Sequence, residues 1–366
     1  MKVLISGGGT GGHIYPALAI AEELRRRDPS LELLYVGTKD GRENDLVPRA
    51  GLPFATIEIQ GMPRKISPAM FPFGVYLLRG LAQAGRILRT FKPDFAIGTG
   101  GFVSGPVLYR AARGGHYTLI HEQNSYPGIA NRILSRYVDD IAVTFEESIP
   151  YFSDHARKTL TGNPIRSVFF SLQREVSLYE KYGLDPNRKT VFVFGGSNGH
   201  DSINEAVAGM KEAFAATPYQ MVLVTGPDHY DSMKDRFAED GNIRLYPYLF
   251  DIHEMYAIAD LMVTSSGAIT LAEIQAAGLA SILIPKAYTT ENHQAKNAFA
   301  VRDKKAAEVL EEKDLDKESL FLAIESLLKD EKKLEEMKKA SKNLGMPHAA
   351  KEIVDLAWAG WEQKMR

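Results

Sequence analysis

Four times along the chain a short apolar run enters a cluster of Gly, Ser or Thr and then a stretch with helical period. Residues 3–6 run into Gly7-Gly8-Gly9-Thr10-Gly11-Gly12-His13, with a helical pattern over 16–27. Residues 95–97 enter Gly98-Thr99-Gly100-Gly101 ahead of a helical stretch at 104–112. Residues 191–194 enter Gly195-Gly196-Ser197-Asn198-Gly199 ahead of 202–216, and residues 261–264 enter Ser265-Ser266-Gly267-Ala268 ahead of 270–277. Each copy reads as a strand, a tight turn and a helix N-terminus. Further strand-like runs at 31–36, 117–120, 220–224 and 280–284 alternate with helical segments, which predicts parallel, doubly wound sheets. The expected fold class is therefore α/β, with two Rossmann-like domains joined near Thr161-Gly162-Asn163-Pro164, a division that suits 366 residues. Ligands of open parallel sheets sit beyond the carboxyl ends of the strands, so both sheets are expected to face a central cleft with their glycine loops. The expected boundaries are 1–163, 164–346 and a C-terminal helix, 347–366, whose Ile353, Leu356, Ala357 and Trp361 pack back on the body.

Composition narrows the function classes. The chain has no Cys, which removes disulfides, thiolate catalysis and Cys-ligated metal. With 44 Lys+Arg against 46 Asp+Glu, the whole-chain field gives no reason to expect nucleic acid as a partner. The N-terminus reaches its glycine run too early for a signal-peptide core, and no apolar run of about 18 residues occurs, so the expectation is an unsecreted chain that does not span a bilayer.

A glycine turn feeding a helix lets backbone N–H groups approach an anion, and phosphate is the natural ligand. One such loop is also compatible with a dinucleotide fingerprint or with plain tight packing; four directed at one cleft point to a phosphate-bearing substrate. No Lys-Ser/Thr follows Gly12, so the first loop is not an ATP-hydrolysing P-loop, and neither Asp28 nor Glu32 completes a nicotinamide site. Thr270 with Glu273, and Ser202 with Glu205, have the spacing of capping boxes. His121, at a strand end, reads as a core histidine and Glu122 as a cap or bridge, whereas His13 directly follows a glycine loop where an imidazole suits a general base.

These motifs form a set. Gly9-Thr10-Gly11-Gly12-His13-Ile14-Tyr15-Pro16-Ala17, Gly98-Thr99-Gly100-Gly101-Phe102-Val103-Ser104-Gly105-Pro106, His121-Glu122-Gln123-Asn124, Thr161-Gly162-Asn163-Pro164-Ile165-Arg166 and Gly267-Ala268-Ile269-Thr270 with Glu273 resemble the MurG family in matching order from residue 1 to about 350. That family transfers N-acetylglucosamine from UDP-GlcNAc to lipid I, giving lipid II in peptidoglycan synthesis. The resemblance implies a GT-B fold, a C-terminal domain for UDP-GlcNAc as donor substrate, and an N-terminal domain for an undecaprenyl-linked lipid I acceptor. It implies an inverting displacement with no obligatory cofactor or metal; the one DxD, Asp314-Leu315-Asp316, lies in a charged helical tail and reads as solvated.

Carried over by residue, the resemblance places Ser197 and Asn198 at the diphosphate, the backbone of Leu249 at uracil, and Ala268, Ile269 and Thr270 around the nucleotide. Glu273 falls on the ribose hydroxyls, reversing its capping-box reading, and Gln294, Asn297, Asn124 and Arg166 fall near the donor sugar and phosphates. Thr10, Gly11, Gly12 and His13 face the reacting groups, with His13 as base or acceptor-positioning group and Glu122 as the alternative catalytic residue. Four positions depart from the family pattern: Ser265 where Arg is common, Asn198 with His200 in the third loop, and Ile252 where Met is frequent.

A membrane signal accompanies these. Over 75–91, Leu77, Leu81, Ala84, Leu88 and Phe91 share one helical face and Arg79, Arg86 and Arg89 the other, as in a core-packed helix. The preceding Pro68-Ala69-Met70-Phe71-Pro72-Phe73 reads as a proline-broken apolar loop. With Arg64 and Lys65 beside it, Met70, Phe71 and Phe73 are expected to insert into an anionic leaflet. The expected location is peripheral, on the cytoplasmic face of the cell membrane, with partners among cell-wall and division proteins. The alternatives are a GT-B enzyme with another UDP-sugar or lipid acceptor, a nucleotide-sugar-binding paralogue of weak activity, or a nicotinamide oxidoreductase.

Overall fold

A computed structural model describes residues 1–61, 70–196, 199–237, 241–289 and 292–366. Two compact units are present, one of Met1–Ile165 with His348–Arg366, the other of Arg166–Pro347.

The first unit runs β1 (Lys2–Gly7), α1 (Gly11–Arg27), β2 (Glu32–Thr38), α2 (Glu43–Arg49), β3 (Phe54–Ile57), α3 (Met70–Phe91), β4 (Phe95–Gly100), α4 (Ser104–Arg113), β5 (Tyr117–Glu122), α5 (Ile129–Leu134), β6 (Asp140–Val143) and β7 (Arg157–Leu160). Its strands form one parallel sheet in the order β3-β2-β1-β4-β5-β6-β7. Near-continuous apolar runs make these strands because both faces are covered. Alternation then sorts them: Val3, Ile5, Leu33, Phe95, Ile97 and Leu119 point to one core, while Leu4, Val36, Ala96, Ile120 and Ile141 point to the other.

The second unit runs α6 (Val176–Lys181), β8 (Thr190–Phe194), α7 (Asp201–Ala215), β9 (Gln220–Val224), α8 (Pro227–Lys234), β10 (Ile243–Tyr246), α9 (Ile252–Ile258), β11 (Leu261–Thr264), α10 (Ala268–Ala277), β12 (Ala280–Leu283), α11 (His293–Asp303), β13 (Glu308–Val309), α12 (Lys317–Lys329) and α13 (Glu331–Leu344). Its parallel sheet has the order β10-β9-β8-β11-β12-β13. The final helix, α14 (Ala349–Met365), belongs to the first unit, where Ile353, Val354 and Ala357 are buried beside Val3, Ile5 and Leu24. Gly360 lets it lie close on Tyr117, since a Cβ there would come within 2.4 Å of the ring.

Strand order reverses between β1 and β4 in the first unit and between β8 and β11 in the second. These are the topological switch points, where a doubly wound sheet opens a crevice at the carboxyl ends of its strands. The four glycine turns read from the sequence follow those four strands. Asp316, from the DxD sequence, is spent on structure: as N-cap of α12 its carboxylate accepts the N–H groups of Glu318 and Ser319.

Candidate active site

In the first unit, α1 starts at Gly11, five residues earlier than the expected helical stretch at 16–27. Thr10 is the extended N-cap, so Gly11, Gly12 and His13 form the first helical turn, where backbone N–H groups lack intrahelical acceptors. The His13 ring is held by Nδ1, 3.0 Å from the Gly8 carbonyl and 3.3 Å from Thr10 Oγ1. A carbonyl only accepts, so Nδ1 carries the hydrogen and a neutral ring has its lone pair on Nε2. The loop after β4 closes around this ring. Gly100 has φ 102°, and a Cβ there would stand 2.8 Å from His13 Cδ2; Gly101 has φ 79°, and a Cβ would stand 2.3 Å from the Gly8 oxygen. Thr99 Oγ1 donates to the His13 carbonyl at 2.7 Å, and Gln123 Nε2 donates to the Thr99 carbonyl at 2.7 Å.

Glu122 is buried at the end of β5 and accepts four hydrogen bonds. Asn124 N and Nδ2 bind Oε1 at 3.0 and 3.1 Å, and Gly128 N and Asn131 Nδ2 bind Oε2 at 3.1 and 2.9 Å. Burial pushes its carboxyl pKa up, against the pull of these donors. The geometry is that of a carboxylate organising the 124–128 turn, and it places Asn124. His121 is fully buried: its Nε2 donates to the Gly162 carbonyl at 3.0 Å, and burial brings its pKa down to about 4.

Sequence reasoning missed Glu43, which lies fully buried under the first loop. Its Oε1 accepts Thr38 N at 2.9 Å and Thr38 Oγ1 at 2.6 Å, and its Oε2 accepts Gly9 N at 3.2 Å. Gly8, Gly37 and Gly41 crowd the side chain so closely that a methyl at any of them would collide with it. Among Lys39, Asp40, Arg42 and Asp45 it looks like one more solvated charge; its only local signal is the flanking glycines.

In the second unit, the loops after β8, β11 and β12 are stitched together. Ser265 Oγ reaches the Gly195 carbonyl at 3.4 Å, Ser266 Oγ donates to the Gln294 carbonyl at 2.7 Å, and Asn297 Nδ2 to the Ser266 carbonyl at 3.4 Å. Gln294 Oε1 accepts the backbone N–H of Lys286 at 3.0 Å. Gly267 is the N-cap of α10, so Ala268, Ile269 and Thr270 form its first turn. Leu249, half-buried, follows the carboxyl end of β10. Ser197 and Asn198 lie outside the described residues.

Neither expected capping box forms, because each helix starts earlier than the spacing implied. With Gly267 as N-cap, Thr270 and Glu273 fall inside α10; with His200 as N-cap, Ser202 and Glu205 fall inside α7. Glu273 is instead buried, accepts the Tyr256 hydroxyl at 3.1 Å and feels the Arg166 cation. Burial lifts its pKa to about 7, opposed by Arg166. Arg166 and Glu273 are thus brought together from positions 107 residues apart in the sequence. Ser202 Oγ and His200 Nε2 both bind Glu312 Oε1, at 2.5 and 3.1 Å, and Glu205 pairs with Arg236.

Comparison with known proteins decides what this arrangement is. Residues 3–143 match the glycosyltransferase family 28 N-terminal domain and residues 190–353 its C-terminal domain. A Finegoldia magna protein named UDP-N-acetylglucosamine–N-acetylmuramyl-(pentapeptide) pyrophosphoryl-undecaprenol N-acetylglucosamine transferase is 49% identical over 358 residues, 97% of this chain and 97% of its own. A Halalkalibacterium halodurans protein of the same name is 45% identical over 96% of this chain and 98% of its own. The crystal structure of Acinetobacter baumannii MurG superposes with a TM-score of 0.80 at 26% identity, covering 98% of this chain and 99% of that one. The chain belongs to the MurG family. It is a glycosyltransferase, and its two α/β units have the GT-B fold.

Against the MurG pattern, two of the departures, His200 and Ser265, have local contacts that hold them. His200 is buried on Glu312, tying the start of α7 to the loop after β13, and Ser265 closes on the Gly195 carbonyl. Ile252 opens α9, and nothing in the structure explains why Ile stands there.

The membrane expectation needs correcting in its geometry. Met70, Phe71, Pro72 and Phe73 are not a loop; they are the first turn of α3. Arg64 and Lys65, with Pro68 and Ala69, lie outside the described residues. The outward face of α3 carries Phe71 (81% exposed), Val75 and Leu78 (70%) in one stripe, opposite the buried Gly80, Ala84 and Leu88. Arg86 and Arg89 extend the same outward side, and Arg79 pairs with Glu58. Among the described residues no helix is long and apolar enough to cross a membrane, and no cluster of His, Asp and Glu could hold a metal.

Proposed function

We propose that the chain converts lipid I to lipid II. N-acetylglucosamine passes from UDP-GlcNAc to the C4 hydroxyl of the N-acetylmuramyl unit of undecaprenyl-pyrophosphoryl-MurNAc-pentapeptide, with inversion at the anomeric carbon. The observation that carries this reading is the 49% identity, along nearly the whole of both chains, to the Finegoldia magna transferase.

The first unit presents the acceptor. His13 takes the C4 hydroxyl proton on Nε2 as the O4–C1 bond forms, while Nδ1–H on the Gly8 carbonyl steadies the imidazolium that results. Glu122 acts as a positioning residue, fixing Asn124 and its turn. The second unit holds the donor: the backbone of Leu249 meets uracil, Glu273 meets the ribose hydroxyls, and Arg166, Gln294 and Asn297 lie near the sugar and phosphates. The C1–O bond to the β-phosphate breaks, and its electron pair leaves with UDP. The N-termini of α7 and α10 meet that charge with N–H donors already in place, and Ser197 and Asn198 are assigned to the diphosphate from the family motif. No step is assigned to a metal.

The acceptor's lipid requires approach to a bilayer. The stripe of Phe71, Val75 and Leu78, with Met70 flanking it and arginines further along α3, docks on an anionic cytoplasmic leaflet as a shallow amphipathic insertion, while Phe73 falls on the inward side of the helix with Gly80. Arg64 and Lys65 precede α3 in the sequence and bring two further positive charges.

The test is sugar transfer to a soluble lipid I analogue, with UDP-GlcNAc, UDP-glucose and UDP-galactose as parallel donors. Transfer from UDP-GlcNAc alone is expected. Preference for another sugar, or binding of UDP with no transfer, would overturn the reading in favour of another GT-B activity or a binding paralogue.

A further inference from the structure

Lys286 follows β12, on the same carboxyl edge of the sheet as the glycine loop after β8. Its backbone is fixed by Gln294, and its ammonium donates to the carbonyl of Gly199, the last glycine before α7, at 2.7 Å. That bond uses one of three N–H donors. The side chain is partly buried, and burial pulls its pKa down. Glu312 is the carboxylate whose field it feels, yet both Glu312 oxygens are taken: Oε1 by His200 and Ser202, Oε2 by the backbone N–H of Ala287 at 2.7 Å. Among the described residues no carboxylate lies within 4.0 Å of Lys286 Nζ.

A partly desolvated cation without a contacting counter-charge is costly, and here it stands beside a helix N-terminus whose partial charge has the same sign. An anion beside Gly199 and the start of α7 would relieve both. We infer that Lys286 is a diphosphate-binding residue of the donor site, its ammonium bridging the Gly199 carbonyl and the phosphates of the sugar nucleotide. This rests on the reading that the 195–200 loop receives the donor diphosphate. During transfer the same ammonium would meet the negative charge that accumulates on the leaving UDP.

The alternative is that Lys286 merely caps Gly199, and substitution separates the two. Lys286→Gln keeps an N–H donor for the carbonyl and removes the charge; Lys286→Arg keeps the charge. Titration calorimetry of the full chain with UDP and with uridine is expected to show UDP affinity falling roughly tenfold to a hundredfold in Lys286→Gln, the scale of a charge-assisted hydrogen bond. Uridine affinity should stay within about twofold, Lys286→Arg should recover most of the UDP affinity, and UDP binding by Lys286→Gln should depend less on salt. Equal losses for UDP and uridine, or no loss for UDP, would overturn the inference and leave Lys286 a packing residue. A wild-type chain that binds uridine as well as UDP would instead overturn the diphosphate reading of the loop, and the inference with it.

Discussion

Replacing Glu43 tests whether the first glycine loop is held from beneath. Glu43→Ala deprives three donors of their acceptor, two of them on the buried Thr38. At about 1–3 kcal/mol for each buried donor left unsatisfied, the cost centres on roughly 4 kcal/mol. For a unit of this size about 1 kcal/mol moves the melting temperature by roughly 2–4 °C, so unfolding of the first unit should fall by roughly 8–16 °C. Glu43→Gln is the sharper probe. Its one remaining oxygen still serves Thr38, while its amide turns two hydrogens toward Gly9 N–H. Gly9 is exposed and can turn to water, so the loss is about 1.5 kcal/mol of stability, the lower end for a hydrogen bond to a charged group. Its catalytic effect should be about as large as its effect on folding, because Gly8 and Thr10, the residues on either side of Gly9, hold His13 Nδ1. A shift of about 1.4 kcal/mol in the reacting geometry is tenfold in rate. Steady-state kinetics should therefore show kcat down about tenfold, with KM for UDP-GlcNAc within about twofold, since the proposed donor residues lie in the other unit. Wild-type kcat in Glu43→Gln would refute the anchoring argument, and a rise in KM for the donor would show that the loop acts on the nucleotide instead.

His13→Ala should lower turnover at least about tenfold while UDP binding persists, the expected size of a general-base effect; turnover near wild type would remove His13 from the chemistry. Glu273, held up at about 7 by burial, binds its proton more tightly folded than unfolded, where it titrates near 4.5. The stability this confers is complete below about 4.5 and is lost as pH rises toward 7. Urea unfolding of Glu273→Gln against wild type should show the variant gaining relative stability across that window, by about 3 kcal/mol at most, and levelling off above it. A constant difference would mean that Glu273 titrates normally. On the membrane side, changing Met70, Phe71 and Phe73 together to Ser should weaken flotation with anionic liposomes and leave turnover on a short-chain acceptor intact. Unchanged flotation would leave the α3 stripe without a membrane role.

Local chemistry alone decided a good deal. A run such as Val191-Phe192-Val193-Phe194 followed by Gly195-Gly196 can do little but enter a strand and turn, so the α/β class and the four glycine loops were legible without any tertiary contact. So was the motif order that marks the family. What the sequence could not carry was anything set by where distant segments meet. The switch points depend on β4 lying beside β1 and β11 beside β8, pairings across dozens of residues. Helix starts were misplaced for a related reason. Gly267 and His200, rather than better-capping neighbours, became N-caps because the preceding strands end where they do, and Met70–Phe73 proved helical. The tautomer of His13 is set by the Gly8 carbonyl, and the close approach of Gly100 shapes its surroundings. Glu43 is the clearest case: its neighbours in sequence are solvated charges, while its neighbours in space are Thr38 and the Gly9 amide. A carboxylate's role follows from which donors surround it once water has been excluded, and only the folded chain determines that.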